Sequence, residues 1–443
     1  MAVRTDGLGM TRFAGLAGLW NSRGGAAASW RLGGVALTLL WAAVYLPGLA
    51  RLPPVDRDEP RFAQASRQMF ESLALPPSER DPARHAGSWA VPMFQDQPRL
   101  TKPPLVYWLQ AGSAALCTAG RPQRDALWMY RLPSALAALG TILVTWRLGV
   151  RLFDPRAAWL GALLLALAPV VLVDAHLARA DQVLLFCVAA GQHALWCLYA
   201  GRGRRGAVVI FWLALAAGTL AKGPVAPMIT FLTLAGLRLA SGRGGHVRGL
   251  RPGLGLALLA LCLAPWVVTA ARHIGWEALP TLLRREVLER GLASREGHWG
   301  PPGYHLVLSA VLLWPGSMVT GLALVRAVRR GFPGRTRVEN CDPGIPVERH
   351  ERVPGRRAEL FCLAWIVPSW IVFEFYVTKL PHYTMPLYPP IALLSARALL
   401  AAEAGSLRVL PGFVARLGLT AWLGIGLALA SNSTSPRSFG RPP

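Results

Sequence analysis

Apolar runs of about 15 to 22 residues follow one another along most of the chain, separated by short connectors in which arginine dominates. A helix needs about 20 apolar residues to cross the hydrocarbon core of a bilayer, so this pattern directs the chain into a membrane many times over. The expected spans are 30–49, 131–150, 155–173, 181–200, 207–221, 224–239, 252–271, 304–325, 360–378, 382–401 and 409–430, about eleven helices in an all-α polytopic integral membrane protein. Only 16% of the residues are charged, against about 25% in an ordinary soluble domain. The net charge of +24 sits at the ends of apolar segments, where Arg retains loops in the cytoplasm. A nucleic-acid surface would instead interleave basic and polar residues on a globular face, so no nucleic acid is expected as a partner. Five of the six cysteines, Cys117, Cys187, Cys197, Cys262 and Cys362, lie inside apolar segments without metal-ligand spacing and read as packing residues.

The segment 104–119 has about 16 largely apolar residues, short for a span. If it does not cross, the cytoplasmic loops downstream of it carry 21 Lys and Arg, roughly twice the number on the opposite side. If it does cross, that bias is reversed, so the segment is expected to lie in or at the outer interface. The resulting map has a cytoplasmic tail over 1–29, a membrane domain over 30–430 and an outer tail over 431–443. Within the domain, 50–130 forms a large first extracytoplasmic loop carrying interfacial helices, and 272–303 forms a second outer loop. The first span is followed by charged sequence without a small-residue cleavage site, so it is read as retained.

Three of the 47 basic residues are lysine: Lys102, Lys222 and Lys379. All three fall at the outer face on this map, each beside a Pro or Gly turn. An ammonium is a compact point charge suited to phosphate, although a lysine near a helix end also snorkels to the interface. A second feature is Asp58-Glu59-Pro60-Arg61, shortly after the first span. Its acids and Pro60 suit a helix start, and a carboxylate held at the membrane surface beside an Arg also suits a general base. Asp181 opens a span and is either an N-cap or a site residue. His298, His382 and Tyr383 complete the outer-face candidates.

Taken in order, Asp58-Glu59-Pro60-Arg61-Phe62-Ala63, Lys102-Pro103-Pro104-Leu105-Val106-Tyr107-Trp108-Leu109, Arg131-Leu132-Pro133-Ser134, Ala221-Lys222-Gly223-Pro224, Glu296-Gly297-His298 and Lys379-Leu380-Pro381-His382-Tyr383 resemble the lipid A aminoarabinose transferases and the related protein O-mannosyltransferases. Those are integral-membrane glycosyltransferases of the GT-C fold. The resemblance covers roughly 30–400 and implies an inverting transfer of a sugar from a polyprenyl-phosphate carrier to a lipid, glycan or protein acceptor on the extracytoplasmic side of the inner membrane. It implies Asp58 as the catalytic carboxylate, Glu59 and Arg61 beside it, and Lys102 on the donor phosphate. Arg61, Lys222 and Lys379 are the further cations expected for that phosphate, and Glu59 is expected as a second catalytic carboxylate. Two departures bear on which sugar is moved: Thr101 stands before Lys102, where aminoarabinose transferases often carry an acid, and no long outer domain follows the last apolar segment. No cofactor is expected, and the spacing of His, Cys, Asp and Glu gives no support for a divalent metal. The alternative reading is a transporter or flippase of a lipid-linked sugar.

Overall fold

The structure is a computed structural model that describes residues 26–54, 57–83, 85, 87–201, 203, 205–241, 249–277, 300–332 and 356–403, together with 420, 422–424 and 427. The expected tails 1–29 and 431–443 lie outside the described residues, apart from 26–29. So do most of the outer loop 272–303, most of the span 409–430, and His298.

Fourteen α-helices occur among the described residues. In chain order they are α1 (Ala26–Tyr45), α2 (Asp58–Ala74), α3 (Leu105–Thr118), α4 (Leu127–Leu152), α5 (Pro155–Ala166), α6 (Pro169–Ala175), α7 (Asp181–Tyr199), α8 (Arg205–Lys222), α9 (Val225–Ser241), α10 (Pro252–Ile274), α11 (Tyr304–Leu312), α12 (Ser317–Gly331), α13 (Arg356–Phe375) and α14 (Tyr388–Glu403). A two-stranded antiparallel hairpin, β1 (Met93–Phe94) with β2 (Gln97–Pro98), precedes α3.

Five of these helices, α4, α7, α8, α10 and α13, are long and apolar enough to cross a membrane, and α5 with α6 makes a sixth bent by 58°. Proline places the breaks. Ala168 is extended because it precedes Pro169, which ends α5 and opens α6. The expected span 304–325 is divided around Trp314-Pro315-Gly316, where Pro315 has no N–H to continue α11. The expected span 382–401 begins instead with a 3₁₀ segment, Pro381–Leu387, and helix starts only at Tyr388.

The stretch between α1 and α4 forms a cap built on side-chain contacts. α2 buries Phe62, Met69 and Phe70, and Phe62 stacks on Tyr107 of α3 with ring centroids 5.5 Å apart. Ser66 donates to Gln110 across the same helix pair at 2.7 Å. α3 has 14 residues, about 21 Å of helix, which falls short of a hydrocarbon core of about 30 Å. α1 is tied below by Trp41 donating to the Ala135 carbonyl and Tyr45 to the Ala166 carbonyl.

The cap meets the bundle at one buried guanidinium. Arg131 of α4 is fully buried and donates to both carboxylate oxygens of Glu59, Nε to Oε1 at 2.6 Å and Nη2 to Oε2 at 3.0 Å. Its remaining donors reach the carbonyls of Leu49, Leu52 and Pro53. A buried charge is tolerable only when paired and hydrogen-bonded, and here both conditions are met. One side chain thereby fixes the end of the α1 connector and the first turn of α2.

Candidate active site

Anchoring Glu59 determines what Asp58 does. Successive residues at a helix start point about 100° apart, so with Glu59 turned inward to Arg131 and to the Ala178 amide, Asp58 faces a chamber of about 240 Å³. Its carboxylate stands 3.5 Å from Arg61, one turn along α2, and both side chains remain partly exposed. Lys102, in the turn between β2 and α3, lines the same chamber.

The opposite wall is made where α7 starts and α8 ends. Asp181, at the first position of α7, pairs with Lys222, the last residue of α8. Gly223 follows with φ at +65°, the left-handed conformation that ends a helix without a Cβ clash. The Lys222 ammonium also lies 5.1 Å from the centroid of the Tyr383 ring. Arg179 donates from Nη2 to His382 Nε2 at 2.9 Å and stands 3.7 Å from Asp181 and 3.8 Å from Asp174. Burial, reinforced by Arg179, Lys222 and Lys102 against the opposing pull of Asp181, holds the His382 imidazole well below its ordinary pKa. The ring is neutral, which suits a nitrogen that accepts from a guanidinium.

A second, apolar cavity of about 400 Å³ adjoins the chamber. The two share Thr101, Lys102, Asp181, Lys222, His382 and Tyr383. Beyond that shared wall the lining turns to Leu184, Met228, Trp266, Ile274, Phe373 and Tyr376. Polar groups and an apolar slot therefore meet at two lysines.

The structure brings together most of the sequence candidates and separates others. Asp58, Arg61, Lys102, Asp181, Lys222, His382 and Tyr383 all line the chamber. Glu59, expected beside Asp58 as a catalytic carboxylate, does not, because Arg131 occupies both of its oxygens in the core. Lys379, expected on the donor phosphate, is turned away. The residue is 4% exposed, and its ammonium donates to the carbonyls of Gly300 and Pro301 at 2.8 and 3.0 Å, tying the start of the 3₁₀ segment to the approach to α11. His298 lies outside the described residues. Two further cations line the chamber, Arg99 and Arg179. Arg99 is held over the Phe62 ring at 5.2 Å and donates to the Tyr107 hydroxyl. Arg179 stands in sequence beside Asp181 in an outer-face group, whereas Arg99 was not separable by sequence from the chain's many other arginines. Among the described residues, no three His, Cys, Asp or Glu side chains are grouped to hold a metal ion.

Known proteins resemble this chain in sequence and in fold. A family described as dolichyl-phosphate-mannose-protein mannosyltransferase matches residues 101–268. The undecaprenyl phosphate-alpha-4-amino-4-deoxy-L-arabinose arabinosyl transferase of Edwardsiella ictaluri is 26% identical over 368 residues, 81% of this chain and 57% of that protein. Its namesake in Pseudomonas aeruginosa is 28% identical over 348 residues, 77% of this chain and 55% of that one. The chain thus spans a little over half the length of these curated relatives. The crystal structure of ArnT from Cupriavidus metallidurans bound to undecaprenyl phosphate superposes with a TM-score of 0.70 at 22% identity, covering 93% of this chain and 67% of that one. The chain therefore has the GT-C membrane fold and is related, in sequence and in structure, to the aminoarabinose transferases.

Proposed function

We propose that the chain is an inverting glycosyltransferase that moves a sugar from a polyprenyl-phosphate carrier to an acceptor outside the cytoplasm. The observation that carries this reading is the shared wall, where Lys102 and Lys222 border both a polar chamber and an apolar slot. A polyprenyl-phosphate sugar has the same division: an apolar tail, a phosphate at headgroup depth and a polar sugar beyond it. The relatives' names and the lipid bound to the Cupriavidus protein point to the same donor class.

In this scheme the acceptor oxygen bonds to the anomeric carbon from the side opposite the phosphate. The bond from that carbon to the phosphate oxygen breaks, and its electron pair leaves with the carrier phosphate, whose charge rises from one to two. Lys102 and Lys222 stand where that charge develops, and fixed cations there stabilise the departing group more than the bound donor. Asp58 takes the proton from a hydroxyl acceptor, or orients an acceptor phosphate that is already ionised. Arg61 and Arg179 position the two carboxylates, and neutral His382 accepts from Arg179 without adding charge.

The same reading sets the finer topology: about eleven spans in a GT-C unit over 30–430, loops 50–130 and 272–303 outside, tail 1–29 inside, and tail 431–443 outside. The membrane is the inner membrane, and the acceptor is a lipid A-like glycolipid, another glycan or a protein. A transporter would hold its substrate near the midplane between repeats, whereas the carboxylates and cations of this chamber stand at helix ends, where α7 starts and α8 finishes.

Mass spectrometry of envelope lipids and glycans from cells with and without the gene tests the function. A sugar mass lost on deletion and restored by the wild-type chain, with Asp58→Asn failing to restore it, is the expected result. An unchanged envelope overturns the assignment.

A further inference from the structure

The opposite end of the bundle carries a second charged cluster that the transfer reaction does not use. α13 contributes Phe373 to the apolar cavity and Glu359 near its start. At 1.5 Å per residue the two are about 20 Å apart along the helix. Glu359 is fully buried, yet three guanidiniums converge on it from two neighbouring helices. Arg330 of α12 has Nε 3.0 Å from its Oε1, Arg326 one turn earlier has Nη1 at 3.4 Å, and Arg397 of α14 has Nη2 at 3.8 Å. Arg397 also lies over the Phe153 ring, 4.4 Å from its centroid.

The carboxylate is sealed behind the cluster while the Arg326, Arg330 and Arg397 side chains keep 16, 32 and 17% of their surface. Glu359 carries one charge against the three of Arg326, Arg330 and Arg397, so these four side chains together are net positive. Beside them, Val325, Val328 and Phe332 are 49, 47 and 52% exposed at spacings of three, four and seven residues, which places them along one side of α12. These apolar residues flank Arg326 and Arg330 at the end of α12, so an apolar side and a cationic cluster lie next to each other, as a molecule with both a chain and an anionic head requires.

We propose that Arg326, Arg330 and Arg397 bind the headgroup of an anionic phospholipid whose acyl chain lies along Val325, Val328 and Phe332. Glu359 is the backing that holds the three guanidiniums together, and its charge opposes the ligand. The site stands apart from the sugar-transfer chamber and does not depend on that reaction.

The test uses the full chain, delipidated in a neutral detergent, with native mass spectrometry to read retained lipid. Phosphatidylglycerol should be retained over phosphatidylcholine, and millimolar inorganic phosphate should not displace it. Each basic residue near an anionic membrane lipid is worth about a fivefold change in binding. Arg326→Gln should therefore weaken phosphatidylglycerol retention about fivefold. Glu359→Gln, nearly isosteric, should strengthen it by a similar factor. Opposite signs in the two variants separate lipid recognition from a packing role, in which both substitutions lower thermal stability and neither changes lipid selectivity. Equal retention of the two lipids, displacement by inorganic phosphate alone, or weakening by Glu359→Gln overturns the proposal.

Discussion

Arg131 and Glu59 meet as a two-point ion pair with side chains 1% and 0% exposed, joined across 72 residues of sequence. Removing one partner of such a pair leaves the other charge buried and uncompensated, at a cost of about 3 to 5 kcal/mol. Glu59→Gln and Arg131→Met should each lower the unfolding temperature in detergent markedly. The double variant should lose less than the sum of the two. Additive losses in a thermal unfolding cycle would show that the pair is not the unit of stability.

Asp58 should behave differently, since its side chain is partly exposed and faces the chamber. Asp58→Asn keeps the shape and should leave folding and donor binding near normal, while single-turnover transfer at saturating donor falls by roughly 10² to 10⁴. Asn caps a helix as well as Asp does. Normal transfer by this variant would reduce Asp58 to a helix start.

The lysines divide in the same way. Lys102→Ala should weaken binding of a polyprenyl-phosphate sugar by about 1.5 to 3 kcal/mol, the range for a hydrogen bond to a charged group, and Lys102→Arg should recover part of it. Lys379→Ala removes the donor to the Gly300 and Pro301 carbonyls. It should lower stability with donor affinity unchanged in the protein that remains folded. Isothermal binding of donor to both variants distinguishes the two roles.

His382 supplies a pH signature. Its native pKa is depressed by burial and by the cations around it, so below about pH 6.5 the unfolded chain takes up a proton that the native site refuses. Stability contributed at this position is therefore present above about pH 6.5 and is lost as pH falls below it, at up to about 1.4 kcal/mol per pH unit. His382→Gln should flatten that part of the stability profile between pH 7.5 and 5.5. A profile identical to wild type would mean that His382 is not the group titrating.

Hydrophobic run length was enough to read the membrane class and the positions of most helices, because spanning a bilayer is a one-dimensional requirement. Helix breaks at 313–316 and over Pro381–Leu387 were harder, since proline inside apolar sequence either bends a helix or ends it according to its neighbours. Pro133, Pro265 and Pro368 sit within α4, α10 and α13, while Pro169 opens α6. The chamber was legible where rarity marked it: lysine is scarce in this chain, and two of the three lysines line the site. Arg99 carried no such mark. Nor does adjacency tell which of Asp58 and Glu59 turns inward. That is decided by Arg131, a partner that only the folded chain brings within reach.

The wall that the two cavities share has a consequence for the polyprenyl-phosphate donor proposed above. On the proposed reaction only the headgroup end of a carrier would meet fixed charges, at Lys102 and Lys222, while α10, which supplies Trp266 and Ile274 to the slot, leaves much of its apolar surface uncovered. A tail leaving the slot along that helix passes into surrounding lipid and not into a closed tube. Such a site gauges how deep a phosphate sits in the bilayer and is indifferent to how many isoprene units trail behind it, so carriers of different length should be exchangeable once the first few units are in place.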